Sequence, residues 1–506
     1  MNASRASRGT PVTRKLGTVL LAAGCLTSLG AKAADDFAVN PPENVRGFQP
    51  RIDAAEIYVD NVDLAPPGDP KESAFITELR PGFKYAEDRP RFQTQIDYTF
   101  QYLLYSNSSG RDQSYHTLAA YANGEVLPDL FYIRADAGAA QVVLNPTQPS
   151  TLDTVVNGTG NLINGYTGSI SPYLQKHVGD TVALVEYTRG FVTYRGTENG
   201  GFETATGANI TGSQNSRVRA SWGTDEKSLT RFSWNVSYDH QVADYGDEAP
   251  TFRYSEALLT LGYGVTRQLR LIAEGGSETN PAKSNGNNNG DLNTGFYQGG
   301  FEYTLGRSNQ IHVLVGHRFY GTSYDFLYRY TGRVLELEST YTEGPTTEAQ
   351  ELFIRPINGA AGAPPVVQPV LAGGDLAALT GEVFVRKYFD NRLRLRGRRT
   401  AIELDVNVYQ RNYVIDKTKD DRTVLADAGI IRDLNSRDRV RLVYGFRRYY
   451  LVNGQDLRES AFRLQWLRQI SRSLNLTGTL GRLEGTGSTQ HYNVNFAMLG
   501  ISKNFF

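Results

Sequence analysis

The run RLRLRGRR, residues 392–399, places five arginines in eight positions. Guanidinium groups hold a permanent charge and bind phosphate or carboxylate through paired N–H donors, so the chemistry on offer is anion binding. Other residue types offer less. The six histidines stand at 116, 177, 240, 312, 317 and 491. His312 and His317 are an odd number of residues apart, so on a strand they face opposite ways and cannot share a metal. Ser488 and His491 lie close in sequence and suggest a membrane hydrolase only weakly. No His-Glu-x-x-His, phosphate loop or nucleophile elbow is present. SNGNNNGD, residues 284–291, lacks the carboxylate spacing of a calcium loop. The chain is therefore not expected to be an enzyme, and no cofactor or metal is expected.

The arginines must be read on the element that carries them. After them comes TAIELDVNVYQ, where Ile402, Leu404, Val406 and Val408 alternate with Glu403, Asp405 and Asn407. That is the period of a strand with one apolar and one polar face. In the same phase Arg392, Arg394 and Arg396 share the polar face, with Leu393 and Leu395 opposite. Alternation recurs along the chain. Phe92, Ile96, Tyr98, Phe100 and Tyr102 form one apolar set; Phe232, Trp234, Val236 and Tyr238 another. Tyr324, Phe326, Tyr328 and Tyr330 oppose Asp325 and Arg329, and Val440, Leu442, Tyr444 and Phe446 oppose Arg439, Arg441 and Arg447.

These segments run to roughly 10–16 residues, whereas strands of globular proteins average about 5–6. A tilted strand crossing a bilayer needs about 9–11. The reading is an all-β chain: a transmembrane antiparallel outer-membrane barrel of about 22 strands, with 20–24 allowed, apolar outside and polar within. Short turns near 127–129, 177–179, 306–309, 397–399 and 434–437 alternate with long connections near 143–162, 197–210, 280–291 and 343–379. That asymmetry assigns the short turns to the periplasm and the long loops to the outside. A wide barrel needs a constriction, and loop 343–379 is the expected one.

Residues 1–33 read as a secretory signal peptide: Arg5, Arg8, Arg14 and Lys15, an apolar run from Leu16 to Gly30, then Ala31-Lys32-Ala33. LAAGC, ending at Cys25, offers a weaker lipoprotein reading. Residues 34–50 are expected to form a periplasmic lead and 51–506 the barrel. Taking the five basic residues of 1–33 from 53 leaves 48 against 53 acidic ones, a net charge near −5. An exported, acidic chain is not expected to bind nucleic acid. If Cys25 leaves with the signal, no thiol chemistry remains.

On a barrel the polar face is the lumen. Phase places Arg392, Arg394, Arg396, Arg411, Arg441, Arg447 and Arg463 there, with Glu403 and Asp405 as acidic partners. Two roles are open: a mixed-charge ladder stiffening a wet wall, or a basic stripe guiding an anionic solute or sugar polymer. The 30 tyrosines are expected mainly in interfacial girdles, with inward ones such as Tyr132 and Tyr409 able to stack on sugars. The last strand, YNVNFAMLGISKNFF, puts Tyr492, Val494, Phe496 and Met498 on one face with Phe506. A terminal Phe ending an alternating strand is the pattern that barrel-assembly machinery reads. The expected partners are thus outer-membrane lipid, that machinery through Phe506, and a polysaccharide.

The segment RIDAAEIYVDNVDLAPPG, followed by FITELRPGFKY, resembles the N-terminal signature of PEP-CTERM system-associated outer membrane proteins, close to the β-barrel porins of exopolysaccharide loci. HRFYGTSYDFLYRYTGRVLELESTY, residues 317–341, and the last strand are similar too. The resemblance spans most of the chain after the signal. It implies an integral outer-membrane barrel tied to exosortase and exopolysaccharide systems, and it carries no catalytic residue. The expected function is passage of an exopolysaccharide or its fragments. The alternative is a non-conducting scaffold for a surface-polymer or sorting complex.

Overall fold

A computed structural model describes residues 47–505, except 108–111, 144–161, 196–211, 226–230, 247–250, 280–292, 307, 348–382, 415, 453, 455 and 488–490. The expected signal peptide, Ser488 and Phe506 lie outside the described residues, as do most of loop 343–379 and of the expected lead.

Alternating sequence becomes strand throughout. The strands are β1 (Gly47–Val59), β2 (Ala74–Arg89), β3 (Phe92–Tyr105), β4 (Gln113–Leu127), β5 (Phe131–Val143), β6 (Leu162–Val178), β7 (Thr181–Arg195), β8 (Ser213–Thr224), β9 (Phe232–Asp244), β10 (Phe252–Gly264) and β11 (Leu269–Thr279). They continue as β12 (Asn293–Leu305), β13 (Asn309–Arg318), β14 (Gly321–Thr331), β15 (Leu335–Thr346), β16 (Phe384–Arg396), β17 (Thr400–Tyr413), β18 (Asp421–Asp433), β19 (Asp438–Leu451), β20 (Asp456–Gln469), β21 (Leu474–Gly487) and β22 (His491–Asn504). Their number, 22, is the expected one. The first strand begins at Gly47, inside the expected lead. Pro50 reads as a strand breaker because it lacks an N–H, yet here it only accepts, its carbonyl taking the Phe505 amide at 2.8 Å.

Every strand is antiparallel to its sequence neighbours, and β1 pairs with β22 from Arg51↔Asn504 to Val59↔Phe496. The 22-stranded sheet therefore closes on itself and leaves no edge, which satisfies the backbone internally. The first and last strands end together with the short connections at one rim. There the chain turns in a few residues: Asp129 takes φ 54° between β4 and β5, and Gly179 takes φ 58° between β6 and β7. The longest connections, 60–73, 144–161, 196–212, 280–292 and 347–383, gather at the other rim, which also carries the short ones 319–320, 452–455 and 488–490.

The register fixes the faces. Ile402, Leu404, Tyr444, Phe462, Leu464, Leu480, Leu499 and Ile501 are exposed on the exterior, with Phe232, Val236, Tyr238 and Tyr324 further round. The four apolar sets quoted above, led by Phe92, Phe232, Tyr324 and Val440, all face outward. The last strand departs from this rule. Tyr492 lies in register with Gly485, and Gly485 with Glu459, which lies opposite Arg447. Tyr492, Val494, Phe496 and Met498 therefore point inward, and the exterior of β22 is Ala497, Leu499 and Ile501. Period two reports that two faces differ; it does not say which is inside when both hold apolar residues.

Candidate functional site: the charged inner wall

Register lines carry the arginines round the inside. One runs Glu338–Arg392–Asp405–Asp427, and the next Glu336–Arg394–Glu403–Gly429. Arg392, Arg394, Arg396, Arg411, Arg441, Arg447, Arg463, Glu403 and Asp405 all lie on this inward face. Most have an acid within reach: Arg392–Asp390 at 3.0 Å, Arg394–Glu403 at 2.7 Å, Arg396–Glu336 at 3.0 Å and Arg441–Glu403 at 3.8 Å. Arg447 pairs with Glu459, which also accepts the Tyr492 hydroxyl. Asp405 stands directly opposite Arg392. The charges thus form a laced ladder rather than a bare basic stripe.

The ladder changes character along the strands. Arg394 and Arg396, near the short-turn rim, have side chains 48% and 52% exposed. Arg411, near the other rim, is 1% exposed. Its Nε donates to both Asp421 oxygens, at 2.8 and 2.9 Å, and its guanidinium lies 5.7 Å and 5.9 Å from the Phe384 and Tyr413 ring centres. Arg447 and Arg463 are also buried. The interior is open toward the short turns and filled toward the long loops.

Neighbouring strands give a different balance. Glu256, Glu274, Glu278, Glu302 and Asp325 line the inward face of β10 to β14, against Arg270, Arg318, Arg329 and His312. Arg318 there bridges Glu256 and Glu278 and lies 4.4 Å over the Phe296 ring. The wall is therefore acidic over these strands and arginine-rich over β16 to β20. Composition and phase could have shown this sector too, since Asp325 and Arg329 were already assigned the polar face.

Two elements narrow the long-loop end. Residues 60–73, which include the DNVDLAPP stretch, turn in between β1 and β2. Val62 and Leu64 join Ile57, Val59, Ile76, Leu103, Tyr492 and Val494 in one apolar cluster on the inner wall. Asn61, fully buried, holds the segment: its side chain donates to the Ala65 and Asn493 carbonyls at 2.9 and 3.0 Å and accepts the Ala65 amide at 2.8 Å. Leu64 adopts φ 56° to complete the turn. Farther round, the Tyr245 hydroxyl after β9 donates to the Thr347 hydroxyl after β15 at 2.9 Å, and Val383 and Val414 pack with Phe252 and Tyr254. These contacts join connections that lie six or more strands apart. Thr347 and Val383 flank the part of the expected constriction loop that is not described.

Of the tyrosines read as inward, Tyr132 stacks on Tyr173 with centroids 4.9 Å apart, and Tyr409 is buried against Tyr388. Tyr409 is thus not presented to a solute, whereas Tyr132 remains part-exposed. His312 faces inward and His317 outward, as their odd spacing demands. His491 is exposed, its Nδ1 3.0 Å from the Thr486 hydroxyl. Among the described residues no three His, Cys, Asp or Glu side chains are grouped as metal ligands. At the long-loop rim, Asp416 caps a short turn, Lys417–Lys419, and the Thr418 hydroxyl and amide hold its carboxyl below the usual carboxylate range.

No protein-family model matches the sequence, and no curated protein matches it. Among solved structures, the siderophore receptor PirA from Acinetobacter baumannii aligns over 91% of this chain and 81% of its own, with 8% identity and a TM-score of 0.46. The FrpB iron transporter from Neisseria meningitidis aligns over 91% and 83%, with 7% identity and a TM-score of 0.45. OccAB3 from Acinetobacter baumannii aligns over 90% and 99%, with 9% identity and a TM-score of 0.34.

Proposed function

We propose that this chain is an integral outer-membrane barrel that passes a hydrophilic, anionic solute, an exopolysaccharide or its fragments, in a PEP-CTERM-type surface system. The observation that carries the membrane reading is the seamless sheet with apolar side chains exposed outside and an ion-pair ladder inside. A water-soluble protein does not expose such a belt, and lipid accepts only helices or closed barrels. The short-turn rim then faces the periplasm and the long-loop rim the outside. Arg392, Arg394 and Arg396 form the wall of a periplasmic vestibule, where a polyanion entering from within meets charges held in place but still wet. The polymer assignment rests on the sequence resemblance together with the part-exposed arginines of this mixed-charge vestibule.

The test is conductance in planar bilayers. Stable steps that are reduced by an anionic polysaccharide added on the short-turn side are expected. Arg392→Gln/Arg394→Gln/Arg396→Gln should weaken that block and lower anion preference. An equal block by neutral and anionic polymers would remove the anionic assignment.

A second reading has its own support. The apolar cluster under Val62 and Leu64 fills part of the inner wall, which suits a barrel that anchors a surface complex and conducts little. Protein that inserts in bilayers but remains electrically silent would favour it.

A further inference from the structure

The exterior of the barrel should be uniformly apolar where it meets lipid, and over β18 to β20 it is not. Arg422, Arg448 and Arg458 point outward at the long-loop ends of these three neighbouring strands. Arg448 and Arg458 are directly opposite each other in register, and Arg422 lies on the next strand, diagonal to Arg448. Like charges directly across a strand pair repel. Arg448 has an acid, Asp456 at 2.7 Å, and lies 4.2 Å over the Tyr450 ring. Arg458 lies 5.4 Å over the Phe446 ring, and among the described residues neither it nor Arg422 has a carboxylate partner.

Just below them the wall is Val424, Phe446 and Phe462. Three guanidinium groups against one carboxylate therefore stand where an apolar belt ends. Arginine on the lipid face costs least at that level, and a planar guanidinium binds a phosphate through paired hydrogen bonds. Aromatic rings against two of the three, Arg448 and Arg458, fix their planes. The Nε and Nη2 edge of Arg448 is taken by Asp456, so the donors left for a ligand are those of Arg422, Arg458 and the outer Nη1 of Arg448.

We propose that Arg422, Arg448 and Arg458 form a binding site for the phosphorylated sugar headgroup of an outer-leaflet glycolipid, its acyl chains lying along β18 to β20. The site depends on the barrel being embedded as read above, and its charge is the complement of that headgroup. Asp456 already offsets Arg448, so the anion's gain is at Arg458, across the strand pair, with a second phosphate reaching Arg422.

The experiment uses full-length protein in neutral detergent, with native mass spectrometry to read bound lipid. Three probes are compared: a bis-phosphorylated outer-membrane glycolipid, the same lipid after phosphatase treatment, and inorganic phosphate. The phosphorylated lipid should be retained, and the dephosphorylated one should bind at least about tenfold more weakly. Arg422→Gln/Arg458→Gln should weaken retention about tenfold or more, while Arg432→Gln/Arg468→Gln at the opposite rim leaves it unchanged. Equal retention of the two lipids by the unaltered protein overturns the proposal whatever the variants do. So does unchanged binding by Arg422→Gln/Arg458→Gln, or displacement of the lipid by millimolar inorganic phosphate, which marks an ion site only. Insertion of the same preparation into phospholipid vesicles is scored separately. Insertion without glycolipid binding rejects this site alone, whereas protein that stays in water without detergent rejects the membrane reading.

Discussion

Arg411 and Arg396 are the same residue type on the same face, yet their surroundings assign them different work. Arg411 and Asp421 are fully enclosed, so removing one partner strands a charge. Arg411→Ala should lower the unfolding free energy of the detergent-solubilised barrel by about 3–5 kcal/mol, read by denaturant titration of tryptophan fluorescence. Arg411→Met combined with Asp421→Leu should recover most of that loss. Arg396, half exposed and paired with Glu336, should cost less than about 1 kcal/mol on change to Ala. If both single variants cost the same, the filled long-loop half is wrong. The inward direction of both arginines was legible from period two. Their difference in burial was not, because it depends on what covers the wall, and residues distant in sequence decide that.

Strands were the most legible elements, since long alternating runs leave little choice of structure. The β1–β2 segment was not legible as a structural device. Asn61 reads in sequence as an ordinary turn residue, but two of its hydrogen bonds close the local turn at Ala65 and the third ties residues 60–73 to Asn493 of β22. Asn61→Ala leaves the Ala65 amide and carbonyl unsatisfied and the Asn493 carbonyl with only Lys71 Nζ at 3.5 Å, at about 1–3 kcal/mol locally. Proteolysis within residues 60–73 should speed up by tenfold or more while the rest of the barrel stays resistant; unchanged cleavage would mean that the segment is not held. The inverted last strand has a related cause. With Tyr492, Val494 and Phe496 inside, β22 offers an apolar inner surface to Val62 and Leu64, so the terminal strand serves the filling of the barrel as well as its closure.

Closure is the property of the whole molecule on which every face assignment depends. Ala54 and Ile501 are partners across the β1–β22 seam, on the exterior. Ala54→Cys/Ile501→Cys should form an intramolecular disulfide under mild oxidation, since such paired positions hold their Cβ atoms about 4.5–5.5 Å apart. Ala54→Cys/Ser502→Cys, displaced by one residue and on the opposite face, should not. A gel-mobility shift under non-reducing conditions separates the two, and equal cross-linking would refute the register. The seam has a kinetic consequence as well. Ile57 meets Met498, so the joining contact has almost the largest sequence separation the chain allows. Loop-closure entropy must be met before that contact gives anything back, and contact order this high slows folding. Until the last strand arrives, the first has one neighbour and a free edge, so an unfinished barrel exposes unpaired backbone that can pair with another chain.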